Sequence, residues 1–74
     1  MEEPVIKRVR ALAAELARHR SDGNKYVPLL AIALSDADET VRRLAYESIV
    51  QLTGTDLGPP EDPQAVRAWQ EKYR

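Results

Sequence analysis

Few residues of this chain have side chains that could act as acids, bases or nucleophiles in catalysis. There is no cysteine and a single histidine, His19, which falls in the last turn of a predicted helix between Arg18 and Arg20. A cation in that position interacts favourably with the helix dipole, and no neighbouring acid or nucleophile completes a catalytic constellation around it. We therefore predict a surface role for His19, no catalytic residue and no cofactor, and we expect that the protein is not an enzyme.

Three carboxylates, Asp36, Asp38 and Glu39, lie close together and superficially suggest a cation site. A calcium ion takes about six to eight oxygen ligands, and this stretch offers no further ligands at loop spacing. Capping of the helix that follows is the better account, with Asp38 as the N-cap and Glu39 in the first turn, where acids are favoured. We predict no metal site here.

An arginine-bearing pattern occurs twice, 32 residues apart. Residues 9–15 and 41–47 share Val, Arg, Leu, Ala and Glu at five of seven positions. Self-similarity at a period of about 20 to 50 residues is typical of a stacked repeat architecture. The recurrence favours a structural role between repeats for Arg10 and Arg42 over recognition of an anionic ligand.

The spacing of apolar residues predicts an all-α fold of four helices, at about residues 4–20, 25–35, 39–53 and 63–73. The second helix is apolar on nearly every side, which is typical of a helix that is buried on both faces. The first and third helices each carry a one-sided stripe that we expect to face the core. The stripe residues are Val5, Val9, Leu12, Ala13 and Leu16 in the first helix, and Val41, Leu44, Ala45, Ser48, Ile49 and Leu52 in the third.

Capping residues mark where the helices begin and end. Asn24, Asp38 and Asp62 are candidate N-caps of the second, third and fourth helices, and Gly54 is a C-terminal stop for the third. The fourth helix follows a proline-rich loop and carries the only tryptophan. We expect its apolar residues to cover the open C-terminal side of the stack; they are Val66, Trp69 and Tyr73.

Length and composition limit the possible classes of protein. The 74 residues form one domain, and a chain of this length buries only about 60% of its unfolded surface. We expect it to be too small for a ligand pocket of several hundred Å³. No run approaches the roughly 18 apolar residues of a membrane span, and the charged N-terminus is unlike a secretory signal. We therefore expect a cytoplasmic protein with no membrane contact.

Residues 26–54 resemble a HEAT repeat of the bacterial, phycobilisome-lyase-like type. The features that carry the resemblance are an apolar first helix, an Asp-x-Asp hinge at residues 36–38, and Val-Arg near the start of the second helix at residues 41–42. The segment 52–69, with its Thr-Gly-Thr-Asp-Leu-Gly loop and Asp-Pro helix start, resembles the closing segment of bacterial HEAT proteins.

The resemblance implies a single domain, residues 1–74, in the form of a right-handed, HEAT-like stack. Residues 1–22 correspond to the second helix of an incomplete repeat whose first helix is missing. Residues 23–54 correspond to a full repeat, and residues 55–74 to a loop and a capping helix.

In that family the hinge aspartate and the helix arginine form a polar ladder between repeats. Asp36 matches the aspartate position, and Arg10 and Arg42 match the arginine position. Pro4 stands where the N-terminal unit would have its aspartate, so that unit lacks the acidic half of its ladder. Members of the family mostly bind proteins through the surface lined by their second helices, which implies a binding role rather than catalysis.

The resulting hypothesis is a non-catalytic interaction or scaffold module that binds a partner through the exposed faces of helices one and three. Tyr46 would be the anchor, because aromatic residues dominate binding hot spots, and the charged residues would set register and association rate. The predicted surface comprises Ala11, Glu15, Arg18, Arg43, Tyr46, Glu47 and Val50.

Two further hypotheses concern the N-terminal half of the chain. An incomplete repeat should leave apolar surface near Val5, Ile6, Leu29 and Ile32, which we expect a second copy or a partner subunit to cover. The alternative function is a small nucleic-acid-binding domain, although a net charge of −1 and an acidic middle argue against it. Its phosphate contacts would come from Lys7, Arg8, Arg10, Arg18 and Arg20. A chromophore-handling lyase subunit is disfavoured by the small size and the lack of cysteine.

Overall fold

The computed structural model of the protein describes residues 4–73, with side chains placed from residue 8 onward. The described chain contains four α-helices and one short 3-10 helix, and no strand occurs in it. The all-α class predicted from the sequence is therefore confirmed. The helices are α1 (Pro4–Ala17), a 3-10 helix (Gly23–Tyr26), α2 (Val27–Ala33), α3 (Glu39–Thr53) and α4 (Pro63–Lys72).

The connection between α1 and α2 differs from the prediction. Helix α1 ends at Ala17 rather than near residue 20, because the following residues form turns in which the Gly23 N–H donates to the Arg20 carbonyl over 3.1 Å. Asn24 is not an N-cap: it lies inside the 3-10 helix, which is preceded by Asp22. Helix α2 begins two residues later than predicted, with a proline in its first turn, where a missing N–H costs nothing.

Helix α3 is the central element of the fold. Both α1 and α2 pack against it, and α4 packs on α2. Small side chains allow the close approach of α1, whose described residues contribute Ala14 and Ala17 to the buried core. A buried hydroxyl also joins the two helices, since Ser48 Oγ donates to the Ala14 carbonyl over 2.5 Å. The remaining core residues are Val27, Leu30, Ala31, Leu34, Ala45, Ile49 and Trp69.

The two ends of α3 are fixed by local chemistry at the positions predicted for them. Asp38 has an extended backbone at the N-cap, and its carboxylate accepts a hydrogen bond from the Val41 N–H over 3.1 Å. Gly54 follows the last turn in the left-handed conformation, at φ 69°, and its N–H donates to the Val50 carbonyl over 2.8 Å. A glycine accepts this conformation without a steric penalty, which ends the helix cleanly.

Helix α4 closes the C-terminal side of the molecule. Its N-cap is Asp62, which accepts a hydrogen bond from the Gln64 N–H over 3.0 Å. Trp69 is fully buried, and its indole N–H donates to the Gly58 carbonyl over 2.9 Å. The Tyr73 ring packs 5.8 Å from the Trp69 ring, measured between centroids. Together with the half-buried Val66, these residues tie α4 and the preceding loop to the core.

The predicted burial of the α1 stripe is wrong. Val9, Leu12 and Leu16 are 50–60% exposed, and Ala13 is exposed too; the side chain of Val5 lies outside those described. The 32-residue repeat supplies the reason. The corresponding stripe of α3 is buried in the helix on which both α1 and α2 pack, whereas no described element covers the stripe of α1. Helix α2 is buried on one face only: Leu29 and Ile32, near which exposed apolar surface was predicted, are more than 60% exposed.

Candidate functional site

A groove with a volume of about 520 Å³ runs between α1 and α2. Ala13, Ala14 and Ala17 line its α1 side, and Leu29 and Ile32 lie on its α2 side. The groove exists because both helices pack on α3 while scarcely touching each other. Alanines on α1 leave the space that larger side chains would fill. The expectation that the chain is too small for a cavity of several hundred Å³ is therefore wrong, although this cavity is an open groove.

Both helices that form the groove also carry large, exposed apolar side chains. Among the residues whose side chains are described, the exposed large hydrophobic ones all lie on α1 and α2. These five side chains present on the order of 500 Å² of apolar surface, which is near the largest patch expected on a typical monomer and is often functional. We call the groove and these side chains the α1–α2 patch. Its large residues are Val9, Leu12, Leu16, Leu29 and Ile32.

A polar network closes the patch at the end where α1 approaches the α2–α3 hinge. Arg10 makes a bidentate ion pair with Asp36, with Nε–Oδ2 and Nη2–Oδ1 distances of 2.7 and 2.9 Å. Arg42 donates to the Asp36 backbone carbonyl over 2.7 Å. The Asp36 carboxylate also accepts the Asp38 N–H over 2.9 Å. The two arginines that share the repeat position therefore both bind one hinge residue, and Arg10 of the first unit reaches the aspartate of the second.

The chemistry of this network fixes the charge of Asp36. Hydrogen bonding from the Arg10 guanidinium holds the pKa of the Asp36 carboxyl below its ordinary value, against the opposing effect of desolvation. The two side chains are only 30% and 14% exposed, so solvent screens the pair less than it would a surface ion pair. The arginines are thus engaged in the fold, and this geometry favours the structural role over anion recognition.

The surface predicted on α1 and α3 is present as a single face, but its aromatic residue is engaged. Arg18 lies 3.7 Å from both Glu15 and Glu47, so its guanidinium joins the two helices. Tyr46 and Val50 are half-buried and pack against the core. The Tyr46 hydroxyl donates to the Asp56 carboxylate at 2.8 Å from each oxygen. The exposed residues of the set are Arg43 and Glu47, while Ala11, Glu15 and Arg18 are half-buried.

Most of the predicted phosphate-contacting residues already have acidic partners. Arg10 binds Asp36 and Arg18 lies between two glutamates. Arg20 Nε donates to Asp22 over 2.9 Å, and its guanidinium lies 5.4 Å from the centre of the Tyr26 ring. The side chain of Lys7 lies outside those described, and Arg8 is exposed. Carboxylates so close to the arginines weaken the positive potential on which nucleic-acid binding depends.

The acidic cluster at the hinge has a structural explanation. Asp36 pairs with Arg10, and Asp38 caps α3. Within the described part of the chain, no group of three or more His, Cys, Asp or Glu side chains is placed to hold a metal ion. His19 is exposed, and its ring lies 3.4 Å from Arg18 Nε.

Sequence reasoning found part of the α1–α2 patch and missed the rest. It predicted exposed apolar surface at Leu29 and Ile32, while assigning Val9, Leu12 and Leu16 to the core. The signal that could have identified the groove is the run of alanines at 13, 14 and 17, beside a stripe of large apolar residues on the same helix. Helix α1 packs on α3 through its small residues and leaves its large apolar residues exposed.

The α1–α2 patch is the main candidate site on this fold. In the described residues, no helix is both long and apolar enough to cross a membrane. Comparisons of the protein with family models, curated proteins and solved structures give no match.

Proposed function

We propose that the protein is a non-catalytic helical module that binds another polypeptide through the α1–α2 patch. The observation that carries this proposal is the contrast between two equivalent stripes. Val41 and Ala45 are at most 1% exposed in α3, the helix on which both α1 and α2 pack, whereas Val9 and Ala13, 32 residues earlier, are exposed. Helix α1 thus presents a face of the kind that α3 buries.

The shape of the patch favours a helix as the bound element. A groove between two helices, with apolar walls and apolar rims, is typical of sites that take the apolar face of an amphipathic helix. Helix α2 shows how such a helix is held on α3, through Val27, Leu30 and Leu34 in the core. The occupant of the patch would place comparable side chains over Ala13 and Ala17.

A HEAT-like arrangement is part of the same proposal. Two observations support it: helices related by the 32-residue repeat pack side by side, and Arg10 and Arg42 converge on the hinge residue Asp36. In such a stack the α1–α2 patch is where a further helix or a partner would continue the array.

The face shared by α1 and α3 is a second candidate surface, and the contact between Arg18 and Glu47 favours it. This contact makes one continuous charged surface from two helices, with Arg43 exposed beside it. Its anchor, Tyr46, is less available than the large residues of the α1–α2 patch, because its hydroxyl already binds Asp56.

Affinity capture with matched variants tests the proposal. Leu12→Glu places a charge in the α1–α2 patch, while Arg43→Glu changes an equally accessible residue on the second surface. We expect Leu12→Glu to lose the captured protein and Arg43→Glu to retain it. Since both positions are exposed, both variants should keep the wild-type circular dichroism. Loss of capture by Arg43→Glu alone would move the site to the α1–α3 face.

A further inference from the structure

We propose that the polypeptide bound at the α1–α2 patch is helix α1 of a second copy of this chain, in a two-fold symmetric dimer. This inference rests on the proposed function, because it names the occupant of the same site. Three observations carry it: the shape of α1, the apolar area available and the positions of two charges.

The first observation is that α1 meets the requirements of its own groove. Apart from Arg10 at one end, the α1 wall consists of alanines, so an occupant must bring large side chains on one helical face. Val9, Leu12 and Leu16 form such a face at i, i+3 and i+7, and they are exposed. Neither α3 nor α4 presents an exposed large hydrophobic side chain in the described structure.

Because of the position of α1, two copies can form a closed dimer in which each α1 occupies the groove of the other copy. Because α1 is one wall of the groove, a two-fold axis that brings the partner's α1 into this groove also places this α1 in the partner's groove. The same patch is then used twice, as in the isologous interfaces of two-fold dimers. No patch is left over to recruit a third copy.

The available apolar area is close to the lower limit for a specific interface. Two copies together contribute on the order of 1,000 Å² from their exposed large side chains, and the alanine walls add to this. Specific interfaces start at about 1,200 Å² in total. We therefore expect a dimer that dissociates on dilution rather than a permanent one.

Two charges flank the stripe in complementary positions. Arg8 lies four residues before Leu12 and Glu15 three residues after it, so both border Leu12 on the same flank of α1. A two-fold axis near Leu12 pairs the helices antiparallel, which brings Arg8 of one copy opposite Glu15 of the other, twice per dimer. Within one chain these residues are about 10 Å apart along the helix, so the pair forms only between copies. The 3.7 Å contact of Glu15 with Arg18 is a loose competitor.

A charge-exchange experiment tests this arrangement by sedimentation equilibrium over a wide concentration range. We expect a wild-type dimer that dissociates on dilution, and a Leu12→Glu variant that stays monomeric. Glu15→Arg should weaken the dimer about tenfold, and the loss should shrink at high salt. The double variant Arg8→Glu/Glu15→Arg restores the pair with its signs exchanged, and we expect it to recover wild-type association. Arg43→Glu is the control, and circular dichroism verifies the fold of each variant.

Each outcome decides between the alternatives. A wild-type chain that is monomeric throughout, a dimer that survives Leu12→Glu, or a double variant as weak as Glu15→Arg would overturn the inference. If the monomeric wild type still captures a different protein in a way that Leu12→Glu abolishes, the second copy is excluded and the proposed function stands. If Leu12→Glu changes no association of any kind, both proposals fall.

Discussion

Asp36 is the residue at which three parts of the molecule meet. Its side chain binds Arg10 of α1 and caps the backbone N–H of Asp38, and its carbonyl accepts a hydrogen bond from Arg42 of α3. A charged, bidentate contact between partly buried groups contributes more than an exposed ion pair does. The stability of the α1 interface should therefore depend on the charge of this one carboxylate.

We expect Asp36→Asn to lower the free energy of unfolding by about 1–2 kcal/mol at neutral pH, because Arg10 loses its charged partner. The pKa of Asp36 is lowered in the folded state. Its contribution is therefore present above the ordinary carboxyl pKa and is lost as the pH falls through the lower folded value. Urea unfolding of both proteins across acidic pH measures this. A difference between wild type and variant that persists in strong acid would contradict it.

Tyr46 provides the complementary case at alkaline pH. Its hydrogen bond to Asp56 raises the pKa of the phenol, so its contribution is present at neutral pH and is lost as the pH rises through the folded pKa. Tyr46→Phe should cost about 0.5–1 kcal/mol of stability. In an ultraviolet titration of the three tyrosines, the variant should lack the transition that lies above the ordinary value. Loss of a transition at or below that value would contradict the assignment.

At the scale of elements, glycine is required at two positions for different reasons: Gly54 at the end of α3 and Gly58 in the loop before α4. Gly54 has a φ of 69°, and a Cβ there would meet nothing within 4 Å. Gly58 has a φ of 120°, and a Cβ would lie 2.7 Å from the Ala65 Cβ. A side chain at position 54 would therefore strain only the backbone conformation. A side chain at position 58 would strain the backbone and also clash with Ala65 of α4.

We expect Gly54→Ala to cost about 1 kcal/mol of stability, the penalty of a left-handed backbone for a residue with a side chain. Gly58→Ala should cost at least about 2 kcal/mol, because α4 must also shift. Gly54→Asn should recover part of the first loss, since asparagine tolerates this conformation. Denaturant unfolding of the three variants compares them, and equal losses for the two alanine variants would refute the distinction.

The helical elements were predictable to different degrees. The boundaries of α3 and α4 follow from local chemistry, because Asp38, Gly54 and Asp62 act within one turn of their own positions. The face that α1 buries does not follow in this way. An apolar stripe shows which residues are favourable to bury. Whether another element covers a stripe residue such as Leu12 depends on tertiary contacts, which the spacing of residues does not encode. The repeat spacing predicted a structural role for Arg10 and Arg42, but it did not predict that both bind Asp36.

At the scale of the whole molecule, Trp69 contributes a large part of a small hydrophobic core. It is among the largest fully buried side chains, and its indole binds the loop before α4 through the Gly58 carbonyl. A 74-residue domain has roughly 4–11 kcal/mol of stability at the usual value per residue. One residue of this size is therefore a substantial part of what holds the C-terminal half together.

We expect Trp69→Phe to lower the free energy of unfolding by about 2 kcal/mol, through lost volume and an unpaired carbonyl. Arg67→Ala, an exposed change on the same helix, is the control and should stay within about 0.5 kcal/mol of wild type. Thermal and urea unfolding followed by circular dichroism measure both. A cost for Trp69→Phe no larger than that of the control would show that α4 does not depend on this ring.

The contact of α1 with α3 through alanines has a consequence for the dynamics of α1. Among the described side chains, α1 buries Ala14 and Ala17, and its contacts include the Ser48 hydroxyl and the Arg10–Asp36 ion pair, while α3 is contacted on several sides. Because α1 packs mainly on one helix, it should open without global unfolding. Its backbone amides should then exchange with deuterium sooner than those of α3, and uniform exchange would contradict this. Slower exchange of the α1 amides at higher protein concentration would show that association, rather than the fold of one chain, keeps this helix closed.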